Sequence, residues 1–194
     1  SKENKIKLIK NFNNEVDRMN RLISDISNFS RIISEIETES FKKIEINKFF
    51  LNFKKNYMGN IKGISIKLEL DESIFEVLVN EDKFLQVILN LINNSFSVSK
   101  ENSQILIKTE KFNNNVLIKV YDQGKGIKIV DKEKVFERFY TDREVSRNDH
   151  SGLGLSISRE IIKSFNGSIE LTESDNFNFR GAWFMIKLPL NIKN

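Results

Sequence analysis

The first part of the chain carries mostly apolar residues at alternating intervals of three and four positions, which predicts one long helix. This seam consists of Ile9, Phe12, Val16, Met19, Ile23, Ile26, Ser30 and Ile33, which occupy the a and d positions of a heptad repeat. A second line at sevenfold spacing consists of Leu8, Leu22, Phe29 and Ile36. The combined stripe is wider than a two-stranded coiled coil requires, so we expect a helix within a bundle. The acidic run from Glu35 to Ser40 is the predicted linker.

Beyond the linker, the hydrophobic pattern changes to short helices and strands. Helices are predicted over residues 45–58, 81–99 and 156–165, with a shorter one near Val135. Alternating or β-branched runs predict strands over 64–70, 75–79, 105–109, 116–121, 169–172 and 183–188. The third and fourth strands form a predicted hairpin across residues 113–115, and residues 123–151 are rich in loops. This order predicts an α+β fold: an N-terminal bundle helix, then a two-layer α/β sandwich with a mixed or antiparallel sheet.

Composition limits the function classes without choosing one. The chain is 39% hydrophobic and 30% charged and has no cysteine, which excludes a disulfide framework and a thiolate metal site. No apolar run approaches the roughly 20 residues of a membrane-spanning helix. The net charge of +4 suits an anionic ligand or a plain lysine-rich surface equally, and no nucleic-acid partner is predicted. Because the chain starts in mid-pattern at Ser1, we interpret it as a piece of a longer protein, so a membrane segment can lie outside it.

The first two of four ordered motifs place amides and a carboxylate where a nucleotide needs them. Asn90 and Asn94 lie four residues apart, so both amides share one face of a predicted helix. An amide oxygen is a hard ligand that suits Mg²⁺, although surface or capping asparagines give the same pattern. Asp122 ends a strand just before Gly124 and Gly126, where a carboxylate can accept a hydrogen bond from an exocyclic amine. An ordinary aspartate turn has the same sequence signature.

The other two motifs surround a predicted helix start. Residues 135–140 carry a phenylalanine pair that also fits small-core packing. Residues 151–157 then place Gly152 and Gly154 before a helix, whose exposed N–H groups attract phosphate oxygens. Neither a Walker loop nor a dinucleotide fingerprint matches these glycines.

Taken together and in this order, the four motifs resemble the N, G1, F and G2 boxes of the histidine kinase branch of the Bergerat-fold ATPases. Residues 180–184, followed by 188–189, resemble the last glycine box of that family. Residues 17–26 resemble the second helix of its dimerisation and histidine-phosphotransfer domain. The resemblance therefore implies that residues 1–40 form that helix and that residues 41–194 form the catalytic ATP-binding domain.

Three segments narrow the resemblance to one subgroup. Residues 21–28, 139–143 and 151–158 are similar to the envelope-sensing kinases of alphaproteobacteria. This implies the cytoplasmic portion of a bacterial inner-membrane sensor. The expected partners are a response regulator receiver domain and a second copy of the chain, joined through the N-terminal helices.

The resemblance also implies ATP and Mg²⁺ as cofactors and assigns roles to residues. Asp122 would receive the adenine amino group, Asn94 would be the catalytic Mg²⁺ ligand, and Asn90 would lie near the phosphates. Gly152 and Gly154 would cradle the triphosphate within reach of a mobile lid over residues 123–151, with Tyr140 beside the adenine or ribose. The full expected nucleotide-binding set is Asn90, Asn94, Asp122, Gly124, Gly126, Ile127, Phe139, Tyr140, Arg143, Ser151, Gly152, Leu153, Gly154 and Leu155.

Two positions depart from the family pattern. Ser97 stands where the family commonly has a lysine, three residues after the Mg²⁺ ligand. Ala182 stands where the family has threonine or serine, which removes a hydroxyl near the adenine. A different cation must therefore face the phosphates, and the sequence leaves four candidates open: Lys125, Arg138, Arg143 and Arg147.

The phosphoacceptor histidine of the family is missing from the matching position. His150 is the only histidine and lies inside the predicted lid, without the motif that surrounds the family's acceptor. The resemblance therefore implies an ATP-dependent protein-histidine kinase whose acceptor lies upstream of Ser1. The phosphoryl group would then pass to an aspartate of the response regulator.

Three alternatives belong to other classes. Chaperone- or topoisomerase-type Bergerat ATPases need a carboxylate base in the first motif helix, but no glutamate lies between Lys83 and Lys100. A serine kinase of the same fold, acting on an anti-sigma partner, is disfavoured by the long heptad helix. A degenerate scaffold that binds nucleotide poorly stays open because of Ser97 and Ala182.

Overall fold

The computed structural model describes residues 2–36, 40–57, 65–73, 75–100, 102–127, 132–140, 151–172 and 176–191. The predicted first helix forms as α1, Lys2–Ile36. The remaining elements, in chain order, are β1 (Lys42–Glu45), α2 (Ile46–Tyr57), β2 (Ser65–Glu69), β3 (Glu76–Val79), α3 (Glu81–Val98), β4 (Gln104–Phe112), β5 (Asn115–Tyr121), a 3₁₀ helix (Lys132–Phe136), α4 (Gly154–Ser164), β6 (Ser168–Thr172) and β7 (Trp183–Pro189). None of the helices in the described part of the chain is long and apolar enough to cross a membrane.

Most of the predicted seam on α1 is exposed. The exposed members are Ile9, Phe12, Val16, Met19, Ile23 and Ile26, each at least 38% accessible. Among the described residues, helix α1 packs on the rest of the molecule near its end, where Ile32 is 4% exposed and Phe29 contacts the main core. Ile32 was not part of the predicted seam. The side chains of residues 22, 33 and 36, and residues 37–39 of the predicted linker, lie outside the described residues.

A five-stranded mixed sheet forms the base of the predicted sandwich. Its strand order is β2-β4-β5-β7-β6, with β2 parallel to β4 and the other neighbours antiparallel. Alternate residues of β5, namely Val116, Ile118 and Val120, point into the main core beneath the helices. The opposite face carries ion pairs such as Lys108–Glu110 at 3.6 Å. The prediction of an α+β two-layer fold with a mixed sheet under helices is therefore confirmed.

Local signals explain where helices α2 and α3 begin. The Glu45 carboxylate accepts hydrogen bonds from the backbone N–H groups of Asn47 and Lys48, at 2.8 and 2.7 Å. The Asn80 side chain accepts from the N–H of Lys83 at 3.0 Å and caps α3. Such caps satisfy donors that lack a partner in the first helical turn. The start of α3 sets the positions of both site amides.

One strand and several element boundaries differ from the sequence predictions. Strand β1, which pairs antiparallel with β3, was not predicted, since it has one apolar residue among its four. The β4–β5 turn uses only Asn113 and Asn114, because Asn115 already pairs with Phe112. Helix α4 begins at Gly154 rather than at residue 156. The earlier start of α4 brings its first turn to the candidate site.

Candidate functional site

Asp122 forms the floor of the site, directly after β5. Its side chain is 1% exposed, and Oδ1 accepts hydrogen bonds from the N–H groups of Gly124 at 2.8 Å and Ala182 at 3.0 Å. Burial raises the pKa of this carboxyl, although the hydrogen bonds from Gly124, Ala182 and Ser95 act in the opposite direction. A buried carboxylate fixed in this way offers an acceptor of defined direction to a ligand amine.

The backbone around Asp122 leaves no space for a side chain at Gly181. The Gly181 N–H donates to the Asp122 carbonyl oxygen at 3.0 Å. A Cβ on Gly181 would overlap Asp122 Oδ1 and would lie 2.7 Å from both the Asp122 carbonyl oxygen and the Gly124 nitrogen. Gly181 is therefore a residue of the site, and the expected nucleotide-binding set lacked it. Its signal in the sequence was the resemblance of residues 180–184 to the last glycine box of the family.

The glycines after Asp122 keep the following turn narrow. A Cβ on Gly124 would lie 2.7 Å from Val98 Cγ2 and 2.9 Å from Asp122 Oδ1. Gly126 has a φ of +72°, a conformation that favours glycine. Ile127 follows with 39% of its surface exposed. The turn that the sequence predicted therefore lies against the end of α3.

Asn90 and Asn94 lie on α3 in different surroundings. The Asn90 Nδ2 donates to the Gly154 carbonyl oxygen at 3.2 Å and to Ser158 Oγ at 3.3 Å. Asn90 thereby joins α3 to the first turn of α4. The Asn94 side chain is half-buried and, within the described part of the chain, makes no hydrogen bond. An amide without a protein partner is available to a ligand.

Gly152 allows residues 151–157 to lie directly against the backbone of residues 135–140. It has a φ of +73°, and a Cβ there would lie 2.7–2.8 Å from backbone atoms of Phe139 and Tyr140. The Phe139 N–H donates to the Gly152 carbonyl oxygen at 3.0 Å, and Phe139 itself has a φ of +63°. Leu153 is 1% exposed and anchors the start of α4. The contact fixes the N–H groups at the beginning of α4 beside Asn90.

The predicted site residues next to Gly152 and Gly154 differ in their exposure to solvent. Tyr140 packs partly buried against the main core, whereas Phe139 is 52% exposed. Ser151 and Leu155 are half-buried on either side of Gly152 and Gly154.

Of the four cations named as phosphate candidates, the structure describes Arg138 and Lys125. The Arg138 guanidinium lies 4.6 Å from the ring centroid of Phe29, so it faces α1. Lys125 is exposed on the turn after Asp122. Arg143 and Arg147, together with His150, lie outside the described residues.

Ser97 and Ala182, the two residues that depart from the family pattern, each make a hydrogen bond within the site. The Ser97 hydroxyl donates to the Asn94 carbonyl oxygen at 2.7 Å, near the end of α3. Ala182 is buried, and its N–H donates to Asp122. At position 182, the contact with Asp122 is therefore made by the backbone and not by the side chain.

Comparisons with known proteins place the chain in a family. The model of the histidine kinase-, DNA gyrase B-, and HSP90-like ATPases matches residues 79–192. The sensor protein ChvG of Rhizobium meliloti (strain 1021) is 32% identical over 202 residues, which cover 97% of this chain and 35% of that protein. The chain thus spans about a third of the length of this curated relative.

Solved structures support the same assignment. The catalytic domain of the histidine kinase ThkA superposes with a TM-score of 0.67 at 26% identity, covering 78% of this chain and 99% of that one. ThkA in complex with the response regulator protein TrrA gives 0.67 at 24% identity, covering 95% of this chain and 51% of that one. With its ATPase model matched over residues 79–192, the chain belongs to the histidine kinase-, DNA gyrase B-, and HSP90-like ATPase family and, within it, resembles the sensor histidine kinases.

Proposed function

We propose that this chain is the ATP- and Mg²⁺-binding catalytic part of a sensor histidine kinase. The observation that carries the proposal is the order of groups along α3. The buried Asp122 lies at the Ser95 end of the helix, Asn94 comes next, and Asn90 contacts the start of α4. An acceptor for a base, an amide ligand and a set of helix N–H groups therefore follow one another. This is the sequence of groups that a nucleoside triphosphate requires.

Adenine binds at Asp122 in this proposal. Its amino group donates to the carboxylate, which the N–H groups of Gly124 and Ala182 already hold in place. The narrow turn around Gly124 and Gly181 brings the backbone close to the base. A carboxylate that is fixed before binding loses little freedom when the ligand arrives. In this proposal the other described residues of the expected nucleotide-binding set lie along the bound nucleotide, whereas Arg143 lies outside the described residues.

Asn94 is the proposed ligand for Mg²⁺. Its amide is half-buried and unbonded within the described part of the chain, and amide oxygens suit a hard cation. The described residues hold no group of three or more His, Cys, Asp or Glu that could form a metal site. A single amide ligand such as Asn94 fits Mg²⁺, because this ion binds through few protein ligands together with substrate phosphates and water. When bound, Mg²⁺ would neutralise charge on the triphosphate.

The reaction in this proposal is transfer of the γ-phosphoryl group to a histidine of the parent protein. An imidazole nitrogen attacks the γ-phosphorus, the bond to the β-phosphate oxygen breaks, and ADP leaves. The N–H groups at the start of α4 and Asn90 position the phosphates, which is the main protein contribution in phosphoryl transfer. His150 lacks the acceptor motif, so we place the acceptor in a part of the parent protein upstream of these residues.

An aspartate of a response regulator then receives the phosphoryl group in our proposal. The solved complex of ThkA with the response regulator protein TrrA supports a partner of this kind. We also propose that the parent protein is anchored in a bacterial inner membrane, with this chain on its cytoplasmic side.

Replacing Asn94 with alanine should lower the affinity for a non-hydrolysable ATP analogue roughly tenfold with Mg²⁺ and less than about twofold without it. The reason is that the variant removes a metal ligand and leaves the base site intact. Calorimetric titration in Mg²⁺ and in EDTA measures both values. Ser97→Ala is the matched control, since it removes a nearby hydroxyl that donates to the Asn94 carbonyl oxygen. Equal losses in both buffers would show that Asn94 is structural.

The kinase step can be tested with γ-labelled ATP. The full-length protein should acquire an acid-labile label, and Asn94→Ala should lower it. The 194-residue chain should stay unlabelled, because His150 is not the acceptor. A label on this chain that disappears in His150→Ala would contradict that assignment.

We further propose that residues 1–40 assemble two chains through α1, beside a catalytic domain over residues 41–194. The exposed seam from Ile9 to Ile26 is a continuous apolar stripe, and stripes of this size are association sites. Each side chain that becomes buried contributes about 1.5–3 kcal/mol. A concentration-dependent dimer is therefore expected in the micromolar range.

Sedimentation of three variants tests this assembly. The double variant Phe12→Glu with Ile23→Glu places charges on the seam and should be monomeric. Asn11→Glu with Ser24→Glu adds the same charge to exposed positions away from the seam and should still dimerise. A truncated chain starting at residue 40 keeps β1 and should be monomeric. If the wild type is already monomeric throughout this range, α1 does not mediate assembly in this chain.

A further inference from the structure

A cavity of about 310 Å³ lies where α1, α3 and the beginning of α4 meet. Among the described residues that line it, two are cationic, Arg31 from α1 and Lys83 from α3. Gln86, Asn90, Ser151 and Gly154 contribute polar groups. The described residues that line it include no carboxylate. The cavity is therefore suited to an anion.

The cavity continues the line of groups along α3. Lys83, Gln86 and Asn90 lie at spacings of three and four residues, which places them on one helical face. At 1.5 Å per residue, Lys83 lies roughly 10 Å beyond Asn90, on the side away from Ser95 and Asp122. A nucleotide whose base lies at Asp122 and whose phosphates reach Asn90 therefore directs its terminal phosphate into this cavity.

The family position that commonly supplies a lysine cannot serve here. Ser97 occupies it, and its hydroxyl bonds the Asn94 carbonyl. Arg138, one of the replacements considered from the sequence, faces the ring of Phe29. Within the described part of the chain, Arg31 and Lys83 are the cations that line the cavity next to Asn90 and Gly154.

We propose that Lys83 and Arg31 bind the terminal phosphate of the nucleotide and thereby replace the lysine that is missing at Ser97. This assignment rests on the proposed function and identifies residues for the same site. Because Arg31 belongs to α1, a triphosphate connects α1 to the catalytic domain, whereas a diphosphate does not reach the pair. Binding of ATP and packing of α1 therefore reinforce each other.

The test compares a triphosphate with a diphosphate. The 194-residue chain is titrated with the β,γ-imido analogue of ATP and with ADP, both in Mg²⁺. Lys83→Gln and Arg31→Gln should each weaken binding of the analogue about tenfold, as expected for loss of a charge-assisted hydrogen bond. Each should change ADP binding less than about twofold, because ADP lacks the phosphate in question. Lys83→Arg keeps the charge and should preserve most of the preference for the analogue.

Lys163→Gln is the matched control, since it removes the same charge from an exposed position in the last turn of α4. It should leave both affinities unchanged. Equal losses of analogue and ADP in the Lys83 and Arg31 variants, or no loss of either, would overturn the assignment of these two residues. A wild-type chain that binds neither nucleotide would instead overturn the proposed function.

Discussion

Replacing Asp122 with asparagine is expected to weaken binding of a non-hydrolysable ATP analogue roughly 10- to 150-fold, because a hydrogen bond to a charged group contributes about 1.5–3 kcal/mol. The asparagine can keep one oxygen for the N–H groups of Gly124 and Ala182, which Asp122 Oδ1 accepts at 2.8 and 3.0 Å. Its other group is then an NH₂, which donates and so opposes the amino group of adenine. Calorimetric titration of wild type and variant measures the loss.

A change of base makes this test specific. Hypoxanthine carries a carbonyl oxygen where adenine carries its amino group, so an asparagine can donate to it. The variant should therefore lose far less affinity for the inosine triphosphate analogue than for the adenosine analogue. The same loss for both bases would point to a distorted site, and unchanged affinity for the adenosine analogue would refute the adenine assignment.

Substituting alanine for Gly181 is expected to abolish measurable nucleotide binding and to destabilise the fold. The new Cβ would overlap Asp122 Oδ1 and crowd the backbone of Asp122 and Gly124. Backbone atoms cannot rotate away as a side chain can, so the floor of the adenine site must move. Overpacking of this kind costs about 1–3 kcal/mol or more, which corresponds to a decrease in Tm of about 2–4 °C for each kcal/mol. Thermal unfolding and titration with ADP measure the two effects.

Ala182→Gly is the control for this prediction. It alters the same loop, adds no atoms and keeps the N–H that donates to Asp122. It should bind ADP with an affinity close to that of the wild type. If Gly181→Ala also binds ADP normally and unfolds at the wild-type temperature, the tight packing around Asp122 does not exist in solution.

Much of the candidate site was predictable because its signals are local. Asp122 at a strand end, two amides four residues apart, and glycines before a helix are all visible in the sequence. Gly181 was matched to a family glycine box but was left out of the nucleotide-binding set, because it lies 59 positions from Asp122 and the pairing of β5 with β7 brings the two together. The cationic pair was missed for the same reason. Lys83 and Arg31 are 52 residues apart and share a cavity only where α1 packs on α3 and α4.

The strand that the sequence did not predict also depends on contacts between residues far apart in the chain. Strand β1 has too few apolar residues to show an alternating pattern, and it is ordered by its pairing with β3. The early start of α4 depends on Gly152, whose positive φ and close contact with Phe139 allow the chain to turn at that point.

The sequence by itself determined the types and order of the main elements, because period and capping are properties of neighbouring residues. It also determined which chemical groups are available for a nucleotide. Tertiary structure decided which faces are buried. Ile32 is buried while the regular seam from Ile9 to Ile26 stays exposed, since burial depends on what packs against a helix. Only the folded chain could place Asp122 and Arg31 at the two ends of the line that Asn90 and Lys83 form on α3, because these two residues come from elements far apart in sequence.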